Sequence, residues 1–170
     1  MKRTSSQKKK DTGAGQAHQI RGSLDGAKLK IGLVTARFNS EITSKLEAGA
    51  LRTLKALGVA DKNIRVVSVP GAVEITTAAK ALLKSVDAVI LLGCVIRGET
   101  THYESVCNAA ERGGTHLQLE TGKPVVFGVI TTENFEQALD RVGGHHGHKG
   151  EEAAEVAVEM ANLLRVLKKK

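Results

Sequence analysis

The chain has no tryptophan, one tyrosine and three phenylalanines, so aromatics make up 2% of its 170 residues. A core must therefore be built from Ala, Val, Leu and Ile, and the positions of Phe38, Tyr103, Phe127 and Phe135 become informative. Two cysteines, Cys94 and Cys107, are too few for a disulfide framework. Both sit in apolar patterns, which fits a reducing compartment and points to the cytoplasm. Residues 4–28 contain no apolar stretch after Lys2 and Arg3, so a signal peptide is not expected. The longest apolar run, Ala88 to Ile96, is about half of the ~20 residues that span a bilayer. A membrane partner is not expected either.

What is present is ordinary globular composition, 41% hydrophobic and 25% charged, with room for one domain and a sizeable core. The formal net charge of +7 invites a nucleic-acid reading, but it is unevenly spread. Residues 1–30 hold eight Lys and Arg against Asp11 and Asp25, and Lys168, Lys169 and Lys170 end the chain. Residues 31–167 carry 14 basic and 16 acidic side chains, a slight negative excess. Lysine clusters without interleaved aromatics give weak, salt-sensitive attraction to polyanions at most, so a nucleic-acid partner is not expected.

Residues 1–28 are rich in Lys, Ser, Gly and Gln and lack periodicity, which reads as a flexible basic tail before a single domain over 29–170. Beyond it, apolar runs alternate with helical periodicity. Strands are predicted over Leu29–Ala36, Ile64–Val69, Ala88–Ile96 and Val125–Ile130. Helices are predicted from a cap at Asn39 or Ser40 to an end at Gly58, over Ala72–Leu83, over about 101–121, from a Thr132 cap to about Arg141, and over Glu151–Leu167. Gly113-Gly114 should weaken the third of these, and Gly122 should stop it. Alternating strands and helices mean βαβ units. The predicted class is α/β, a flavodoxin-like three-layer α-β-α sandwich on a four-stranded parallel sheet.

Ligands of open α/β sheets bind outside the carboxyl ends of the strands, where strand order reverses. The segments there read ARFNS (36–40), VPGAVE (69–74), GCVIRGETTHY (93–103) and FGVITTEN (127–134). All hold polar or aromatic residues with little packing rationale, the main sign of a small-molecule site. In the stretch Arg97 to His102, a glycine, two hydroxyls and the free amides of a starting helix make an anion-binding turn. His102 would lie in the first turn, where the helix dipole disfavours the imidazolium and keeps a neutral acid/base available. Taken alone, the same stretch also reads as capping threonines beside a surface histidine. Phe38 and Phe127, each taken as following a strand at the ligand edge, suit stacking on a planar heterocycle, although a lone Phe also reads as core filling. Glu74 suits a polyol acceptor or a carboxylate at a helix start. His145, His146 and His148 lack the companions of a metal site, so the loop 143–150 reads as solvated and no metal is expected. Cys94 lies mid-strand without an orienting group, which argues against a thiol nucleophile.

Together, ARFN, VPGAVE, LGCVIRGETTHYE, PVVFGVITTEN and the HKG before the last helix resemble the lumazine synthase family, in order and spacing from about Leu29 to Leu167. The resemblance implies condensation of 5-amino-6-(D-ribitylamino)uracil with 3,4-dihydroxy-2-butanone 4-phosphate to 6,7-dimethyl-8-ribityllumazine, phosphate and water, without cofactor. It implies that His102 moves protons and Phe38 stacks on the pyrimidine. Ala72, Val73 and Glu74 would hold the ribityl chain, and the backbone of Cys94, Val95 and Ile96 would meet the uracil. Glu99 and Thr100 would bind the phosphate with Arg141; Arg141 and a second aromatic wall, Phe127, would come from a neighbouring subunit. Asn39 and Lys149 match positions near the substrates. Val73 departs from a frequent aromatic, and Glu99 from a frequent small residue. The implied assembly is a homo-pentamer; because the loop Gly143–Lys149 lacks the extra residues of pentamer-only relatives, a 60-subunit icosahedral shell is expected. Riboflavin synthase is a candidate partner. The alternatives are a lumazine- or flavin-binding relative and an archaeal-type riboflavin synthase.

Overall fold

The computed structural model describes residues 18–168. Four parallel strands form its sheet: β1 (Ile31–Ala36), β2 (Ile64–Val69), β3 (Ala88–Ile96) and β4 (Val125–Thr132), in the order β2-β1-β3-β4. The two central strands are covered on both faces, and their sequences IGLVTA and AVILLGCVI are accordingly almost wholly apolar. Residues such as Ile90, Leu91 and Leu92 are fully buried, each worth about 1.5–3 kcal/mol of transfer free energy.

Side chains alternate across the sheet, so β3 feeds two cores. Ile90, Leu92 and Cys94 pack beneath α1 (Ser40–Ala56) and α5 (Lys149–Lys168). Val89, Leu91 and Val95 pack beneath α2 (Ile75–Leu82) and α3 (His102–Thr121). The result is the three-layer α/β sandwich that the alternating pattern predicts. The short α4 (Phe135–Leu139) and an antiparallel hairpin, β5 (Val142–Gly144) and β6 (Gly147–His148), connect β4 to α5.

Several local expectations need correction. Gly113-Gly114 does not weaken α3, which runs unbroken. Both glycines are sites of close approach, since a Cβ at Gly113 would lie 2.6 Å from Thr76 Cγ2 and one at Gly114 3.0 Å from Leu91 Cδ1. Helix α2 starts at Ile75 because Ala72–Glu74 are taken up by a turn after Pro70-Gly71. Thr132 does not cap α4. It ends β4 opposite Ile96, and the cap is Asn134, whose side chain accepts the Gln137 N–H at 2.9 Å. The segment 143–150, predicted as a solvated loop, is exposed over 143–147 but is ordered as the hairpin and the first turn of α5.

Of the residues read as tail, 1–17 lie outside the described residues. Residues 18–28 form no helix or strand but lie along α5: the Asn162 side-chain amide donates to the Ser23 and Asp25 carbonyls, both at 2.8 Å, and Arg165 to that of Lys28 at 3.0 Å. The Gly26 N–H donates to the Leu57 carbonyl at 2.7 Å.

Candidate active site

The chain passes from β1 outward to β2 and then back across to β3, so strand order reverses between β1 and β3. The crevice at that point lies outside their carboxyl ends. Backbone hydrogen bonds tie the surrounding loops together: Arg37 N–H to the Val69 carbonyl at 2.8 Å, Phe38 N–H to that of Pro70 at 3.2 Å, and Arg97 N–H to that of Thr132 at 2.9 Å. Asn39 spans the switch point itself. It adopts left-handed backbone angles (φ 56°, ψ 48°), and its side-chain amide donates to the Cys94 carbonyl at 2.9 Å instead of capping α1. This leaves the Phe38 ring 71% exposed, which rules out core filling for that residue.

At the end of β3, Cys94 is buried and its thiol is pushed up to about 11 by desolvation, so it is no nucleophile at neutral pH. The Cys94 and Val95 side chains are committed to the two cores, so toward the crevice this strand end offers mainly backbone. Beyond it, Glu99, Thr100 and His102 are exposed, with His102 the first residue of α3 and its N–H 3.4 Å from the Thr100 hydroxyl. Across the crevice, Ala72 is buried in its turn, while Val73 and Glu74 are exposed.

Arg97 is the best-anchored charge of this region. Its guanidinium bonds Glu104 at 3.3 Å and Glu133 at 2.8 Å and lies 4.2 Å from the centre of the Tyr103 ring. The hydrogen bond to Glu104, with Glu133 adding to it, raises its pKa further. It joins the loop after β3 to the start of α3 and to the end of β4, so it is a brace and not a free anion receptor.

Phe127, expected just beyond a strand, lies within β4 opposite Leu91. Five more residues carry β4 to Thr132, about 16 Å at ~3.3 Å per residue. The ring is 43% exposed and lines an open groove of about 530 Å³ along the outer edge of β4, together with Gln118, Arg141, Lys149, Val156 and Met160. Arg141 pairs with Asp140 at 3.2 Å and Lys149 with Glu152 at 2.7 Å. The candidate residues thus fall into two groups: Phe38, Asn39, Ala72–Glu74, Cys94–Ile96, Glu99, Thr100 and His102 at the strand ends, and Phe127, Arg141 and Lys149 at the sheet edge.

The three loop histidines do not converge on one point: two meet Asp140, His145 through its backbone and His146 through its ring, and His148 turns toward α1. His146 Nδ1 pairs with Asp140, whose carboxyl is held below its usual range first by that bond and then by the His145 N–H. The His148 ring packs in the space left by Gly49. No three His, Cys, Asp or Glu among the described residues are grouped as metal ligands, and no described helix is long and apolar enough to cross a membrane.

A family model described as 6,7-dimethyl-8-ribityllumazine synthase matches residues 28–165. The chain belongs to the lumazine synthase family. A curated relative, 6,7-dimethyl-8-ribityllumazine synthase of Bdellovibrio bacteriovorus, is 56% identical over 137 residues, covering 80% of this chain and 75% of the relative. This lumazine synthase is accordingly a transferase of riboflavin biosynthesis.

Two features of this lumazine synthase escaped the sequence reading. The Asn39 bridge carries a weak signal, an Asn where a strand turns into a helix, since Asn tolerates left-handed angles better than most residues. The Arg97 brace carries none, because Glu104 and Glu133 reach it only after folding.

Proposed function

We propose that the synthase reaction runs at the carboxyl ends of β1 and β3, between 5-amino-6-(D-ribitylamino)uracil and 3,4-dihydroxy-2-butanone 4-phosphate. The amine of the first condenses with the ketone of the second to an imine, with loss of one water. Proton abstraction then expels phosphate, and ring closure of the ribityl-bearing nitrogen onto the remaining carbonyl loses a second water and gives 6,7-dimethyl-8-ribityllumazine. Each step moves a proton, and His102 is assigned as the carrier. It is the first residue of α3, next to the amides assigned to the phosphate, and its exposure leaves the ring accessible. Phe38 stacks on the pyrimidine, the Cys94–Ile96 backbone reads its edge, and the Ala72–Glu74 turn holds the ribityl chain. The amides around Glu99 and Thr100 take the phosphate. Arg97 is held between two carboxylates, whereas Arg141 meets one, Asp140, and Arg141 is the assigned phosphate partner.

The observation that carries a shared site is the separation of Phe127 and Arg141 from this crevice within one chain. Both line an exposed edge groove, as they would if they completed the crevice of a second copy. We assign a homo-oligomer on that ground; from the family resemblance we take it to be a pentamer and its 60-subunit shell, with residues 29–170 as the synthase domain and the cytoplasm as its compartment. The decisive test mixes both substrates and follows lumazine absorbance, expecting His102→Ala to lower kcat by about 10²–10⁴. Equal rates with and without protein would end the proposal. Co-expressing His102→Ala with Arg141→Ala chains should restore activity, because mixed assemblies contain sites with both residues intact. No recovery in confirmed mixed assemblies would place each site within one chain. Light scattering that detects only monomers would refute the assembly.

A further inference from the structure

At the opposite end of the sheet, six cations from different parts of the chain converge on one open pocket of about 540 Å³. Lys28 and Lys30 precede β1, Arg65 lies in β2, Lys84 follows α2, Lys123 precedes β4 and Arg165 projects from α5. One carboxylate, Asp87, shares the lining, and it is spent on the frame: its Oδ2 accepts the Lys30 N–H at 2.8 Å and Arg165 at 3.0 Å. Lys123 is fixed by donating to the Leu83 and Val86 carbonyls, and Arg65 by donating to the Ser85 hydroxyl at 2.9 Å. Lys28, Lys30 and Lys84 are exposed and make no ion pair among the described residues.

Such a cluster repels itself, and a concave wall concentrates its potential on whatever anion enters. Arg165 is spent on Asp87 and the Lys28 carbonyl, but the Arg65 guanidinium, held by a single hydroxyl, suits phosphate oxygens, and the exposed long-stemmed ammoniums of Lys28, Lys30 and Lys84 can reach a ligand longer than one phosphate. No aromatic ring lines the pocket, so nothing there would stack on a nucleobase. We propose that this pocket binds a linear condensed phosphate of the pyrophosphate or triphosphate class, independently of the synthase site.

The test is isothermal titration calorimetry of the full chain with sodium triphosphate and with orthophosphate, at about 50 mM salt to limit screening. Triphosphate should saturate at one per chain, in the unaltered protein and in Arg141→Ala alike, and bind more tightly than orthophosphate. Lys30→Glu combined with Lys84→Glu should weaken it by about tenfold or more while lumazine formation is unchanged. Should that pair fail to fold, Lys30→Gln with Lys84→Gln serves, with a smaller loss expected. Equal affinity in the lysine variants, loss of binding in Arg141→Ala alone, equal affinity for orthophosphate, or no saturable heat would each overturn the proposal.

Discussion

Asn39 is the point at which backbone conformation and site geometry can be separated by substitution. Its left-handed angles are costly for most residues, and its side chain supplies one hydrogen bond, to the Cys94 carbonyl. Asn39→Gly keeps the backbone comfortable but removes the bond, a loss of about 1 kcal/mol. Asn39→Ala removes the bond and adds a left-handed penalty of about 1–2 kcal/mol, for a total of about 2–3 kcal/mol. Asn39→Asp keeps the shape but turns a carboxylate oxygen toward the Cys94 carbonyl, so at neutral pH it should fall below Gly. Equilibrium urea unfolding measures the order, asparagine above glycine above alanine. Steady-state kinetics should show KM for the uracil substrate rising in step, because Phe38 is the preceding residue. Equal stability of the Gly and Ala variants would refute the backbone argument, and an Asp variant as stable as the parent would refute the hydrogen bond.

Gly150→Ala should cost about 3 kcal/mol by urea unfolding, because the new methyl would overlap the Leu46 backbone and force α5 off α1. Cys94, protonated up to about 11, should resist iodoacetamide at pH 8 in the native protein and label after unfolding, as peptide mass spectrometry can follow. Rapid native labelling of Cys94 would contradict its burial. Arg97→Ala should loosen the loop after β3 and raise KM for the phosphate-bearing substrate, and Arg97→Lys should rescue it only in part, since one ammonium does not reproduce the forked contacts. Because the Asp140 carboxyl is held below its usual range, its contribution to the hairpin is present above the ordinary carboxylate pKa and lost as pH falls through the lowered value. Protection factors over 142–148, with exchange corrected for the intrinsic rate at each pH, should therefore fall on acidification, and Asp140→Asn should remove that dependence.

The layers and the parallel sheet follow from features visible in one dimension. Double-sided apolar runs in β1 and β3, and helical stripes such as Ile42, Leu46, Ala50 and Leu54, need no partner to be recognised. The misreadings share another cause. Gly113-Gly114 reads as a weak point of its helix until Thr76 and Leu91 are found against it, and a glycine-rich histidine segment reads as a loop until the hairpin forms, with His146 on Asp140 and the His148 ring in the space at Gly49. For the site, the strand-end loops were legible because topology alone brings them together. The place of Phe127 was not: the sequence reading sets it after a strand although the predicted run Val125–Ile130 already contains it, and the extension of β4 to Thr132 sets it further from the sheet's carboxyl edge. Residues 18–28, polar and without periodicity, conceal their attachment to α5 because it uses backbone carbonyls, which any sequence possesses.

That attachment sets a schedule. During synthesis each new strand finds its neighbour already made: β2 joins β1, β3 joins the other side of β1, and β4 joins β3, with no strand inserted between two others. The segment before β1 is different. Its carbonyls at Ser23, Asp25 and Lys28 wait for Asn162 and Arg165, up to 139 residues later. On a ribosome, the first of these residues to emerge would be among the last to settle, and a chain halted before α5 would carry a paired sheet whose opening strap is pinned by Gly26 to the Leu57 carbonyl but lacks its bonds to Asn162 and Arg165.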